Sequence, residues 1–270
     1  MEQTNKQAIL NACMTGNLET LQSHFLSQNI QPGSKVLWRE TDQSLPPTWT
    51  LLTAAIKHDQ ATVVSYLLSI YTVGDISCEE IASAIIHHPN IEIMHFLYSH
   101  SPDIVNLEMD PHRTFLTEAC RGPQGSVSSD SKNESALLLL HFLLDHGADP
   151  REGGLGASGA LLPALESAQP LEIIEKILRC GASVNVLVFW TAVRMERVDA
   201  LRTFFGKGLF SSVLSSGKML EIARESKDAE IISLVEKGCL EMERSQQGTD
   251  GNAETGRSKS WWKLGGRADR

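Results

Sequence analysis

Residues 161–185 read LLPALESAQPLEIIEKILRCGASVN. Two short apolar segments stand on either side of a polar break. In the second segment Ile173, Ile174, Ile177 and Leu178 recur at the spacing of one helical face, so they lay a continuous apolar stripe along it. The first segment carries a small residue, Ala164, beside Leu165, and Gly181 follows the second segment where a left-handed helix end suits glycine. This is a helix, a turn and a helix. A unit this small cannot cover its own stripe, so units of the same kind must lie against it.

Those units are present throughout the chain. ILNACMTGNLETLQSHFLS from Ile9, LLTAAIKHDQATVVSYLLS from Leu51, IASAIIHHPNIEIMHFLYS from Ile81, VFWTAVRMERVDALRTFFGKG from Val188 and MLEIARESKDAEIISLVEKG from Met219 align with it. A seventh copy is split: TFLTEACR from Thr114 resumes as SALLLLHFLLDHGADP from Ser135. Small residues recur in the first segments at Ala12, Ala55, Ala84, Ala119, Ala192 and Ala223, with Ala164 one place early. They let neighbouring backbones approach, while larger aliphatics such as Val63, Val64, Leu67 and Leu68 fill the layer behind. Gly147, Gly208 and Gly238 stand after second segments as Gly181 does, and are expected to end those helices.

The pattern resembles the ankyrin repeat family. The resemblance rests on LLDHGADP at residues 143–150, LRCGASVN at 178–185, TGNLETL at 15–21, and threonine at the first motif position in Thr50 and Thr114. It extends from about residue 7 to about residue 240. Leu51 and Phe115 take the family's proline position, and Thr53, Thr117 and Trp190 its histidine position. The resemblance implies an all-α solenoid of about seven stacked helix-turn-helix units with short projecting hairpins, spanning residues 1–243. The insert at residues 122–133 (GPQGSVSSDSKN) and the tail at 244–270 lack residues to bury and are expected to stay unfolded.

A chain of 270 residues, 41% hydrophobic and 21% charged, has the composition of a folded soluble protein. Its net charge of -9 offers no general field for phosphate backbones, which argues against nucleic acid as a partner. The first fifteen residues lack the cationic and apolar run of a secretory signal. The longest nearly apolar run, ALLLLHFLL at 136–144, falls well short of the ~20 residues that span a bilayer. A cytoplasmic, and possible nuclear, monomer that does not insert into membranes is expected. The five cysteines, at 13, 78, 120, 180 and 239, have no metal-site spacing and read as reduced thiols, with Cys13 and Cys120 as small buried hydrophobes.

Three motifs invite a different reading. Gly154, Gly156 and Gly159 fit the G-x-G-x-x-G loop that brings amides to a dinucleotide pyrophosphate. That loop needs a strand before it, whereas an apolar helix precedes this one, so the hairpin reading of residues 153–159 is preferred. His87, His88 and His95, with His141 and His146 further on, lack any H-E-x-x-H or ligand spacing, and ordinary surface or inter-repeat hydrogen bonding is preferred to a metal. No G-x-S-x-G elbow occurs. Catalysis, cofactors and metals are accordingly not expected. An enzyme or ligand-binding protein using the hairpin or the histidines is the alternative.

The last fourteen residues, RSKSWWKLGGRADR, hold five basic residues against one acid beside adjacent tryptophans. A solvated tail, or one folded back on the stack, is the plainer reading. Paired tryptophans also suit a contact, so Trp261 and Trp262 stand as candidates, with weak membrane-surface attachment as a further alternative. By the resemblance, partners meet positions before the motif threonine, here Trp49 and Arg113, and between the helices, here Lys57, His58, His87, Arg194 and Met195. Aromatic residues, Arg and Met are also the types enriched at interface cores. The expected function is an interaction adaptor or regulator whose partner is another protein.

Overall fold

The computed structural model describes residues 2–39, 45–122, 130–153, 158–207, 210 and 214–250. They form fourteen α-helices and one two-stranded hairpin. The helices come in pairs: α1 (Glu2–Thr15) with α2 (Leu18–Ser27), α3 (Thr48–Lys57) with α4 (Ala61–Ile70), α5 (Glu79–His87) with α6 (Ile91–His100), and α7 (Phe115–Arg121) with α8 (Asp130–Asp145). Then follow α9 (Leu161–Glu166) with α10 (Leu171–Arg179), α11 (Val186–Arg194) with α12 (Val198–Lys207), and α13 (Ser216–Ser226) with α14 (Ala229–Asp250). Between the third and fourth pairs a 3-10 turn, Pro102–Asn106, leads into β1 (Glu108–Asp110) and β2 (Arg113–Thr114), which pair antiparallel.

First helices lie against one another in the order α1, α3, α5, α7, α9, α11, α13, and second helices in the order α4, α6, α8, α10, α12, α14. The stripes read from the sequence face this stack: Val63, Val64 and Leu67 on α4, and Ile173, Ile174 and Ile177 on α10, are fully buried. One apolar cluster runs unbroken from Ile9 to Cys239. All seven matched alanines are buried in it, which is the close approach that their size permits.

The alanine does a second job. In four pairs its carbonyl accepts the amide of the residue five places on: Asn17 to Ala12 at 3.0 Å, and Gln60 to Ala55, Gln169 to Ala164 and Arg197 to Ala192 at 2.9 Å each. The bond requires a left-handed residue just before the donor, and Gly16, Asp59, Ala168 and Glu196 have φ of 73, 58, 51 and 50°. Ala164 is therefore in register with the others and not one place early as the sequence alignment has it. The third pair differs because residue 89 is proline. Without an N–H it cannot donate, and it drives His88 to φ -132°.

Second helices end in the same way at Gly147 and Gly181, whose φ values are 89 and 104°. Gly208 lies outside the described residues. Gly238 departs from expectation: it sits inside α14, where a Cβ would come within 2.4 Å of the Phe205 ring on α12. Close packing of two helices, and not a helix end, requires glycine there. The last helix continues to Asp250, and α8 begins at Asp130, inside the stretch read from sequence as an insert. Among the described residues no helix is long and apolar enough to cross a membrane.

Candidate partner-binding surface

Among the described residues, the turns between first and second helices stand at one end of each pair, the turn edge, and the loops between pairs at the other. Of the candidate residues, Lys57 ends α3 and His58 follows it, His87 ends α5, and Arg194 ends α11 with Met195 after it; all five are exposed. They stand on the turn edge because each belongs to the last turn of a first helix, where the buried face is already supplied by residues such as Ile56 and Val193. Arg194 is ordered by a neighbour: its guanidinium lies 4.6 Å from the centre of the Trp190 ring, and the Glu166 carboxylate is 3.9 Å away. Stacking removes rotamer freedom before any partner arrives. Met195 beside it is 38% exposed.

His87 lines a groove of about 420 Å³ together with His88, Pro89, Asn90 and Ile91, reaching Ile56 and Asp59 of the second pair and Ser135 and Leu138 of α8. Its Nδ1 donates to the Ser83 carbonyl at 2.8 Å. The groove brings His87 close to the end of α3, while Arg194 and Met195 lie three pairs further along. Leu138, 47% exposed, was not foreseen. Within the run ALLLL nothing in the sequence distinguishes it from Leu139 and Leu140, which are buried.

The two residues placed before the motif threonine are not equivalent. Thr114 caps α7, with Thr117 completing a capping box. In the second pair the helix starts earlier, at Thr48, whose amide donates to the Leu37 carbonyl at 2.8 Å and whose hydroxyl accepts from the Leu37 amide at 2.9 Å. Trp49 thus lies inside the first turn of α3, half-buried against the core. Arg113 lies on β2 and is occupied. It bonds Asp110, stands 3.2 Å from Glu79 Oε1 on α5 and 3.8 Å from Glu118 Oε2 on α7. The Arg113 hydrogen bond holds the Asp110 carboxyl below its usual range. Trp261 and Trp262 lie outside the described residues.

The chemistry of the remaining motifs follows from their surroundings. Helix α8 precedes the glycine hairpin, and the hairpin's described amides turn inward: Gly159 donates to the Gly153 carbonyl at 3.2 Å and Ala160 to that of Pro150 at 2.8 Å. At φ 53°, with Pro150 O only 2.0 Å from where a Cβ would stand, residue 159 has room for glycine alone. Residues 154–157 lie outside the described set. His100 donates to the Tyr71 carbonyl at 2.9 Å, His146 stacks on Phe142 at 3.8 Å, and His141 accepts from Lys176 at 3.0 Å. No group of three metal-ligating side chains occurs among the described residues. Burial pushes the thiols of Cys13, Cys78 and Cys120 up to about 12, which leaves them protonated and poorly nucleophilic.

Compared with the models of known families and with curated proteins, the chain matches none.

Proposed function

We propose that the chain is an ankyrin-type helical-repeat protein that acts as an adaptor or regulator by binding another protein, with no catalysis of its own. The order of contacts supports the repeat reading, since each pair completes its core only against the next. One observation carries the functional reading: the turn edge presents Lys57, His58, His87, Arg194 and Met195 exposed, with Arg194 already stacked on Trp190. Arg, Met and aromatic side chains are the kinds that anchor protein interfaces. We take it to work as a monomer in the cytoplasm or nucleus.

The test replaces Lys57, His87, Arg194 and Met195 together by Ala. All four are exposed, so each substitution is expected to change stability by no more than about 0.5 kcal/mol and the helical circular dichroism to persist. Proteins captured from a lysate by the immobilised chain are quantified by mass spectrometry. At least one is expected to fall about tenfold with the variant, the loss of one or two anchors. Undiminished capture removes this edge from the proposal.

A further inference from the structure

Four turns share the alanine carbonyl bond, and each needs a left-handed residue before the donor, a form that glycine enters freely and other residues only at a cost. What the four place there differs. The first turn uses Gly16. In the second, Asp59 does internal work, since its Oδ1 accepts from Asn90 Nδ2 of the next pair at 2.5 Å. In the fifth, Ala168 offers only a methyl group. In the sixth, Glu196 stands at φ 50° and is exposed. Among the described residues its carboxylate makes no hydrogen bond or ion pair, although arginines lie close to it in sequence on both sides. Both arginines are turned elsewhere: Arg194 lies on the Trp190 ring and toward Glu166, and Arg197 bonds Asp199 through Nε and Nη2.

Glycine would make the same backbone bond without strain. What Glu196 adds to glycine is a negative charge in water, beside Met195 and Arg194 on the edge already read as the binding surface. Strained residues of this kind cluster where ligands are held. We propose that Glu196 is a specificity-determining contact of the turn edge, its carboxylate meeting a basic side chain of the partner protein. The inference rests on the partner-binding reading above and names the chemistry of that partner. A chain of net charge -9 draws basic surfaces toward it. A charge at the border of anchors such as Met195 selects among them, both by what it pairs with and by what it repels. At this turn stability is given up for recognition, and substitution can separate the two.

Glu196→Gly removes strain and charge together, Glu196→Gln keeps the strain and removes the charge, and Ala168→Gly removes strain where no charge is lost. Each full chain is measured for its thermal midpoint and for capture from a lysate, quantified as for the fourfold Ala variant. Glu196→Gly should raise the midpoint by about 1–4 °C, and Glu196→Gln should leave it within about 1 °C. Both should lower capture of the same protein by about threefold or more, the scale of an ion pair at an interface. Ala168→Gly should raise the midpoint and leave capture unchanged. Capture that both Glu196 variants retain overturns the inference. If the fourfold variant then loses it, the edge still binds and Glu196 alone is excluded; if that variant retains it too, the edge falls as well. A loss confined to Glu196→Gly, or matched by Ala168→Gly, also overturns the inference, because the backbone and not the charge would then be responsible.

Discussion

The turn after α11 and the turn after α5 occupy the same place in their pairs and solve the same problem differently. In the first, Glu196 accepts φ 50° so that the Arg197 amide reaches the Ala192 carbonyl, and Arg197 goes on to grip Asp199 through Nε and Nη2 at 2.9 and 2.8 Å. In the second, Pro89 has no amide to give. His88 stays on the left of the Ramachandran map and donates to Ala84 O at 2.9 Å. A left-handed non-glycine residue costs about 1–2 kcal/mol. Three of the four bonded turns carry that cost on Asp59, Ala168 or Glu196. The bond they gain satisfies a carbonyl that would otherwise end the helix open. Where the bond is impossible the strain is absent too, and there the groove opens.

Copying the proline into the strict turn is the harshest way to break this contrast. Arg197→Pro deletes the bond to Ala192, opposes the left-handed form at Glu196 and discards the Asp199 pair. We expect a loss of about 2–3 kcal/mol in urea unfolding. A loss below about 0.5 kcal/mol would show that the shared alanine carbonyl bond contributes little. Glycine at the preceding position sharpens the contrast through its sign. Ala168→Gly relieves φ 51° and should gain about 0.5–1 kcal/mol, whereas His88→Gly, at φ -132°, relieves no strain and should lose at least a similar amount. Thermal midpoints moving in the same direction would refute the strain account.

Much of this was legible in the residues themselves. Helical spacing and the recurring small residue marked the helices of Ile173, Ile174 and Ile177, and of Ala55 and Ala192, because period and size are local properties. Register was harder. Ala164 looked displaced beside Leu165 until its bond to Gln169 placed it, and the helix start at Thr48 was hidden because its partner, Leu37, lies eleven residues back. Gly238 misled for the same kind of reason: the Phe205 ring that requires it belongs to the preceding pair. Among candidate contact residues, Lys57, His58, His87, Arg194 and Met195 were expected at turns and are found there, exposed. Arg113, a candidate contact position by the resemblance, is engaged within the chain, and one of its partners, Glu79, thirty-four residues away, is invisible to motif reasoning.

The finest distinction between the two turns is electrostatic. The Arg197 hydrogen bond holds the Asp199 carboxyl below its ordinary value, so the folded state binds that proton less readily than the unfolded chain. The stabilisation from this pair is thus complete above the unfolded pKa of about 3.9 and is lost as pH falls through the lower folded value. Asp199 is 41% exposed, and solvent screening limits the pair to a few tenths of a kcal/mol. Asp199→Asn should therefore lower stability slightly at pH 7 and flatten its fall between about pH 5 and pH 2, with the two curves meeting at the acid end. Urea midpoints measured across that range are the readout. Curves that stay parallel down to pH 2 would mean that Arg197 holds its turn through the backbone bond alone, leaving the proline as the whole difference between the two turns.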